Sequence, residues 1–280
     1  MTVVLSLVAA LAYGLSDFTG GLVSRRTSAW SVAVVGSSTA TVCTAVIAAL
    51  APGSPRAVDF AWAGLAGLGS GAGAGFLYRG FAGGRMGVVA PVSAVGAAVI
   101  PLVVGVLTGD RPTALAWLGI IAALPGIWLV SREPSGTERS LRGGTAAGLV
   151  DGLLAGVGFG LLFAALGQVP DTSGLWPLAF TQLVSVPAVA LLATVAGGTW
   201  VPRARAAWWA ILCGALGTAA TGGFLLATQA GSLAIAGVLT SLYPASTVLL
   251  AALVLREHVH RTQASGLVLC AAAVVLVAAG

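Results

Sequence analysis

The chain predicts an all-α polytopic membrane protein: ten transmembrane helices arranged as two inverted five-helix repeats around a central cavity. Three observations carry this. Of the 280 residues, 58% are hydrophobic and 8% charged, against roughly a quarter charged in an ordinary soluble domain. That mixture has too little polar surface to clothe a soluble fold, and it excludes disorder, collagen and coiled coil. Apolar runs of membrane-spanning length recur between short polar breaks. Finally, the two halves of the chain resemble one another.

The first span, 2–23, lacks a basic leader, contains Asp17, and is followed by Arg25-Arg26 where a small-residue cleavage site would stand. It reads as a retained helix rather than a secretory signal. The second, 30–51, runs from Thr27-Ser28 to Pro52-Gly53-Ser54-Pro55-Arg56, and the third, 60–82, ends at Gly83-Gly84-Arg85. The fourth, 87–108, stops at Gly109-Asp110-Arg111-Pro112, and the fifth covers 114–130. The longest break, Ser131 to Gly144, separates the halves, giving a first repeat at 1–131, a central loop at 132–144 and a second repeat at 145–280. The remaining spans are 145–166, 175–197, 207–229, 233–255 and 264–279. All eight tryptophans fall at or just outside these helix ends, where an amphipathic indole is most stable. Cys43, Cys213 and Cys270 each lie in an apolar run, form no metal or disulfide pattern, and read as small apolar fillers.

The repeat is visible in particular residues. Pro91 to Val130 aligns with Val238 to Val277, matching Asp110 to Glu257 and Gly119 to Gly266; upstream, Phe76-Leu77 aligns with Phe224-Leu225 after one insertion. Because five is odd, the second copy enters the membrane from the opposite side. This is the inverted-repeat pattern of secondary transporters, with a substrate path between the repeats.

On these residues the chain resembles the drug/metabolite transporter superfamily, EamA type. The carrying residues are Ser241-Leu242-Tyr243-Pro244, Leu253 to Glu257, Gln263 and Gly266 in the second half, and Ala90-Pro91, Gly109-Asp110-Arg111 and Gly119 in the first. The resemblance departs at Asp110, where a glutamate is usual, and at His258, where an arginine is usual. It implies a ten-helix permease whose cavity is lined by helices one, three, four, six, eight and nine. It also implies export or exchange of small metabolites or drugs across the cell membrane by alternating access, with both termini in the cytoplasm.

Charges inside spans are rare and mark functional sites by default. Three occur: Asp17, Arg79 and Asp151. Each lies within about 10 Å of a helix end on the same membrane face, which predicts one polar layer between helices one, three and six. Tyr13, Ser16 and Asp17 share a helical face, and Tyr78 and Arg79 continue the Gly67, Gly71, Gly75 stripe. Gly144, Gly148, Gly152, Gly156 and Gly160 form a close-packing ridge beside Asp151. The candidate substrate-binding residues are thus Tyr13, Ser16, Asp17, Tyr78, Arg79, Asp151, Gln229 and Tyr243. Pro91 and Pro101, read as interrupting helix four, and Pro244 are the candidate kinks or gates. Structural readings stand beside these: an Asp17–Arg79 ion pair, an Arg79 that snorkels, an Asp151 that complements its helix dipole, and a Tyr243-Pro244 that only bends the helix.

The leading functional expectation is a secondary transporter of a small-molecule substrate. No cofactor, metal or nucleic acid is expected, and a homodimer is compatible with the chain. A carboxylate balanced between burial and a neighbouring guanidinium can exchange a proton against a cationic or polar substrate, so proton coupling through Asp17 is open; an unpaired Arg79 would favour an anion instead. A lipid-carrier flippase and a non-transporting scaffold remain as alternatives. An enzyme is disfavoured: Glu257, His258 and His260 match no established zinc spacing, and no phosphate-binding loop exists.

Orientation divides the two lines of argument. Loops after odd-numbered helices hold Arg25, Arg26, Arg85, Arg132, Arg139, Arg142, Arg203, Arg205, Arg256 and Arg261, whereas the others hold Arg56 and Arg111. The positive-inside rule therefore puts the termini outside, opposite to the family expectation. On the arginine bias, alkaline phosphatase fused to the C-terminus is active and a green fluorescent protein fusion is dark; the reverse result returns the termini to the cytoplasm.

Overall fold

The computed structural model describes residues 1–51, 53–83, 86–131, 145–254 and 259–280. Glu257 and His258, the loop arginines Arg85, Arg132, Arg139, Arg142 and Arg256, the central loop and Gly144 lie outside these residues. Eleven α-helices form the described structure: α1 (Thr2–Ser24), α2 (Ala29–Leu50), α3 (Ala57–Ala82), α4 (Met86–Thr108), α5 (Ala114–Ser131), α6 (Thr145–Leu166), α7 (Trp176–Val195), α8 (Ala210–Gln229), α9 (Leu233–Thr240), α10 (Tyr243–Val254) and α11 (Arg261–Ala279). Short 3-10 turns cover Asp171–Ser173 and Arg205–Trp209. Ten helical segments are long and apolar enough to cross a membrane, with α9 and the start of α10 forming one of them. The protein is a multi-pass membrane protein.

Successive spans alternate in direction. The loop after α1 therefore lies on one face, and both termini lie on the other; these are called here the loop face and the terminus face. The ninth span, expected as one helix over 233–255, is broken at Ser241-Leu242. Its cause is local: Pro244 has no N–H to give the Thr240 carbonyl, and the chain tightens through Leu242 N to Leu239 O at 3.2 Å and Ala245 N to Leu242 O at 2.9 Å. Pro91 and Pro101 do not interrupt their helix: α4 runs unbroken through both. Pro101 packs against Gly237 of α9, the neighbouring helix leaving no room there for a side chain.

Two terminus-face junctions tie the halves. The Asp59 carboxylate accepts from Arg56 N at 2.8 Å and from Ser173 Oγ at 2.7 Å. The Asp110 carboxylate accepts from Ser232 Oγ at 2.9 Å and Ala234 N at 2.8 Å, so a residue of the first half caps α9 of the second. On the loop face, Ser31 Oγ donates to Thr199 O and Val201 O, both at 3.2 Å.

Packing depends on backbone proximity. α3 lies on α6 and α7 as α8 lies on α1 and α2, and α4 lies on α6 as α9 and α10 lie on α1. That exchange of partners is consistent with two equivalent halves. At the α3–α6 crossing, a Cβ on Gly158 would sit 2.5 Å from Gly73 N, and one on Gly69 would sit 2.6 Å from Gly158 O. Lipid removes the hydrophobic drive between helices, so such close approach supplies the packing energy itself. Gly158→Ala is expected to cost about 1–3 kcal/mol through overpacking, while Gly217→Ala, inside α8 and with nothing within 4 Å of its Cβ, is expected to raise stability by up to about 1 kcal/mol through helix propensity. Thermal unfolding in detergent, monitored on both variants, checks the contrast.

Candidate functional site: a polar cavity around Asp17

Two groups of three helices, α1, α2, α8 and α3, α6, α7, joined where α2 packs on α7, line a cavity with about 540 Å³ of empty space, its mouth included. Its wall on the first bundle includes Tyr13, Ser16, Asp17, Ser37, Cys213 and Thr221. On the second it includes Ser70, Tyr78, Phe159, Leu162 and Gln182. The lining begins near the loop face, where Ala33, Tyr78 and Cys213 each lie within about two turns of a helix end, and descends to Leu162, Gln182 and Thr221.

Asp17 is 7% exposed. Its carboxylate has no hydrogen-bond or ion-pair partner among the described residues, and the cavity lining contains no arginine, lysine or histidine. One turn earlier on α1, the Tyr13 ring stands 5.7 Å from Phe163 and 6.1 Å from Tyr243. Its hydroxyl is buried without a partner, as are those of Thr240 and Ser241 at the break. Ser16 Oγ donates to Cys213 O at 3.1 Å, holding α1 to α8. Gly20 admits the Tyr78 ring: a Cβ there would lie 2.5 Å from Tyr78 Cε1. At the deep end, Gln182 Nε2 donates to Thr221 Oγ1 at 3.0 Å, a bond between the two walls.

Arg79 is not in this lining. It pairs with Asp151 across α3 and α6, with Nε donating to Oδ1 at 2.9 Å and Nη2 donating to the same oxygen. Its guanidinium also stacks over Phe76 at 4.6 Å and Trp30 at 5.8 Å from the ring centroids. The expected single layer of Asp17, Arg79 and Asp151 is therefore corrected: α3 turns Arg79 towards α6, away from Asp17, and the ion pair and the lone carboxylate are separate features.

The other candidates divide similarly. Tyr13, Ser16, Asp17 and Tyr78 line the cavity, and Asp151 and Gln229 do not. Gln229, at the terminus-face end of α8, donates to Val169 O at 3.5 Å and ties loops together. Tyr243 packs behind Tyr13, its hydroxyl 3.3 Å from Ser93 Oγ. The lining uses α2 and α7 rather than α4 and the ninth span. Ser37, Ser70, Gln182 and Thr221 also line the cavity, as does Cys213, expected only as an apolar filler; each is a small or uncharged polar group on an otherwise ordinary apolar helix.

Comparison with known proteins places the second half. Residues 146–279 match the EamA-like transporter family. No curated protein matches the chain in sequence. A solved crystal structure, 15% identical, superposes with a TM-score of 0.71 over 98% of this chain and 95% of that one, a likeness of fold. Among the described residues no group of three or more His, Cys, Asp or Glu is arranged to hold a metal ion.

The Arg79–Asp151 pair is half in contact with its surroundings, the Arg79 side chain being 35% exposed and that of Asp151 3%. Asp151→Asn leaves the guanidinium without its counter-charge and is expected to cost on the order of 2 kcal/mol, between the surface and buried limits for ion pairs. A lowered thermal midpoint for Asp151→Asn, restored in part by Asp151→Glu, is the expected measurement.

Proposed function

We propose that the chain, a membrane transporter of the drug/metabolite type by its EamA-like transporter family domain at residues 146–279, carries small organic cations by alternating access through the Asp17 cavity. The observation that carries this reading is a buried carboxylate without a counter-ion among the described residues, facing a cavity whose lining has no basic residue. An unpaired charge in an apolar surrounding is costly, so it takes either a proton or a positively charged guest.

The rest of the wall suits such a guest. Tyr13, Tyr78 and Phe159 present aromatic faces, which attract ammonium groups and pack an apolar body. Ser37, Ser70 and the Gln182–Thr221 pair offer a few hydrogen bonds. The anionic alternative loses its main support because Arg79 is engaged by Asp151. A cavity also fits transport better than a scaffold, for which a filled bundle would serve.

In this mechanism proton and cation exclude one another at Asp17. Loading from one face displaces the proton, the two three-helix bundles rock, and release at the other face is completed by reprotonation. Export or exchange follows from the direction of the proton gradient across the cell membrane. In proteoliposomes carrying a pH gradient, tetraphenylphosphonium flux is expected to fall at least tenfold, about 1.4 kcal/mol, in Asp17→Asn, with Asp17→Glu retaining a measurable fraction. Equal flux in Asp17→Asn and the parent protein rejects the role of Asp17.

A further inference from the structure

The cavity ends abruptly on its terminus-face side. Along α6 the lining residues are Phe159 and Leu162, and the next residue is Phe163; along α8 they are Cys213, Gly214, Gly217 and Thr221, and the next turn brings Phe224. The Phe163 and Phe224 rings meet with centroids 4.4 Å apart and planes at 33°. They are 1% and 0% exposed. Tyr13 adds its edge to Phe163 from α1. Around them stand Leu162, Leu166, Leu178, Leu225, Ala9 and Ala66, a wholly apolar plug.

These rings come from opposite walls. Phe163 belongs to the bundle of α3, α6 and α7, and Phe224 to that of α1, α2 and α8. A contact inside one bundle could stay closed throughout a cycle, and α2 and α7 join the bundles along one side, but a contact between the bundles that lies across the path must part for the path to open there. An apolar constriction of this kind excludes ions and water by dewetting, with no charged group needed.

We propose that Phe163 and Phe224, with Tyr13 as the third ring, are the terminus-face seal of the transport path. The proposal rests on the transport reading, and it assigns Tyr13 a positioning role: one side of its ring closes the plug while its residue lines the Asp17 cavity a single helical turn away. A guest that draws the Tyr13 hydroxyl towards Asp17 loosens the edge contact on Phe163, linking occupancy to opening.

Cys213, inside the cavity, reports on the seal without any substrate. In a C43A/C270A background reconstituted in one orientation, a membrane-impermeant methanethiosulfonate reagent is applied to one face at a time. Labelling is expected from the loop face and to be slow from the terminus face. Phe163→Ala and Phe224→Ala are expected to raise the terminus-face rate by about tenfold or more, as a closed state with a minor open population would be biased open. Their loop-face rates stay at the parent value, which shows that both variants fold. Tyr13→Ala raises the terminus-face rate as well, whereas Tyr13→Phe, which keeps the ring, does not. Equal labelling from both faces in the parent, or unchanged terminus-face labelling in both phenylalanine variants, overturns the seal. Equal tetraphenylphosphonium flux in Asp17→Asn and the parent, with the labelling asymmetry intact, counts against the Asp17 reading and leaves the seal standing.

Discussion

The fold depends on helices touching backbone to backbone. Lipid tails are as apolar as leucine, so burying a leucine between two spans gains little, and attraction must come from contact area at short range. Gly69, Gly73 and Gly158 let α3 and α6 close to a distance at which no side chain fits. The same holds where Gly14 of α1 meets Tyr243 O and Ser246 of α10. Two groups of three helices result, which meet along α2 and α7, and the cavity is the space left between the rest. Its walls are thus set by glycine contacts that alternate with the lining residues, Gly69 beside Ser70 and Gly158 beside Phe159.

That division of labour separates packing from chemistry. The Arg79–Asp151 pair, at the α3–α6 seam with Phe76 of α3 and Trp30 of α2 against the guanidinium, belongs to the packing side: each charge is paired with the other. Asp17 belongs to the chemical side, because no neighbour neutralises it among the described residues. A protein that satisfied every charge would be more stable and would have nothing left with which to recognise a guest.

Much of the architecture was legible from sequence for a physical reason. Hydropathy and tryptophan position report on the membrane, a one-dimensional constraint, so the ten spans and their ends were readable. Azimuth is different. Depth put Asp17, Arg79 and Asp151 on one level, but only packing decides which way α3 turns Arg79, and it turned to α6. Tyr243-Pro244 signalled a disturbance in the ninth span; the break lies just upstream, at Ser241-Leu242, where the carbonyl that proline orphans is located. Pro91 and Pro101 carried the same signal without a break, since α4 absorbs them within a continuous helix. Gln182, Ser37 and Cys213 had no local mark at all, being uncharged residues on apolar spans whose exposure to a cavity is a tertiary fact.

The Asp110 junction bears on how the molecule is made. At the start of α9 the Ala234 N–H donates to a carboxylate that lies 124 positions earlier in the chain, in the other half. The stretch matched by the family, 146–279, begins downstream of Asp110. Severed from what precedes it, that stretch would keep only the Ser232 hydroxyl, which accepts from Ile235 N, at the positive end of α9. The complete cap of α9 therefore draws on both halves, and neither half carries all of it alone.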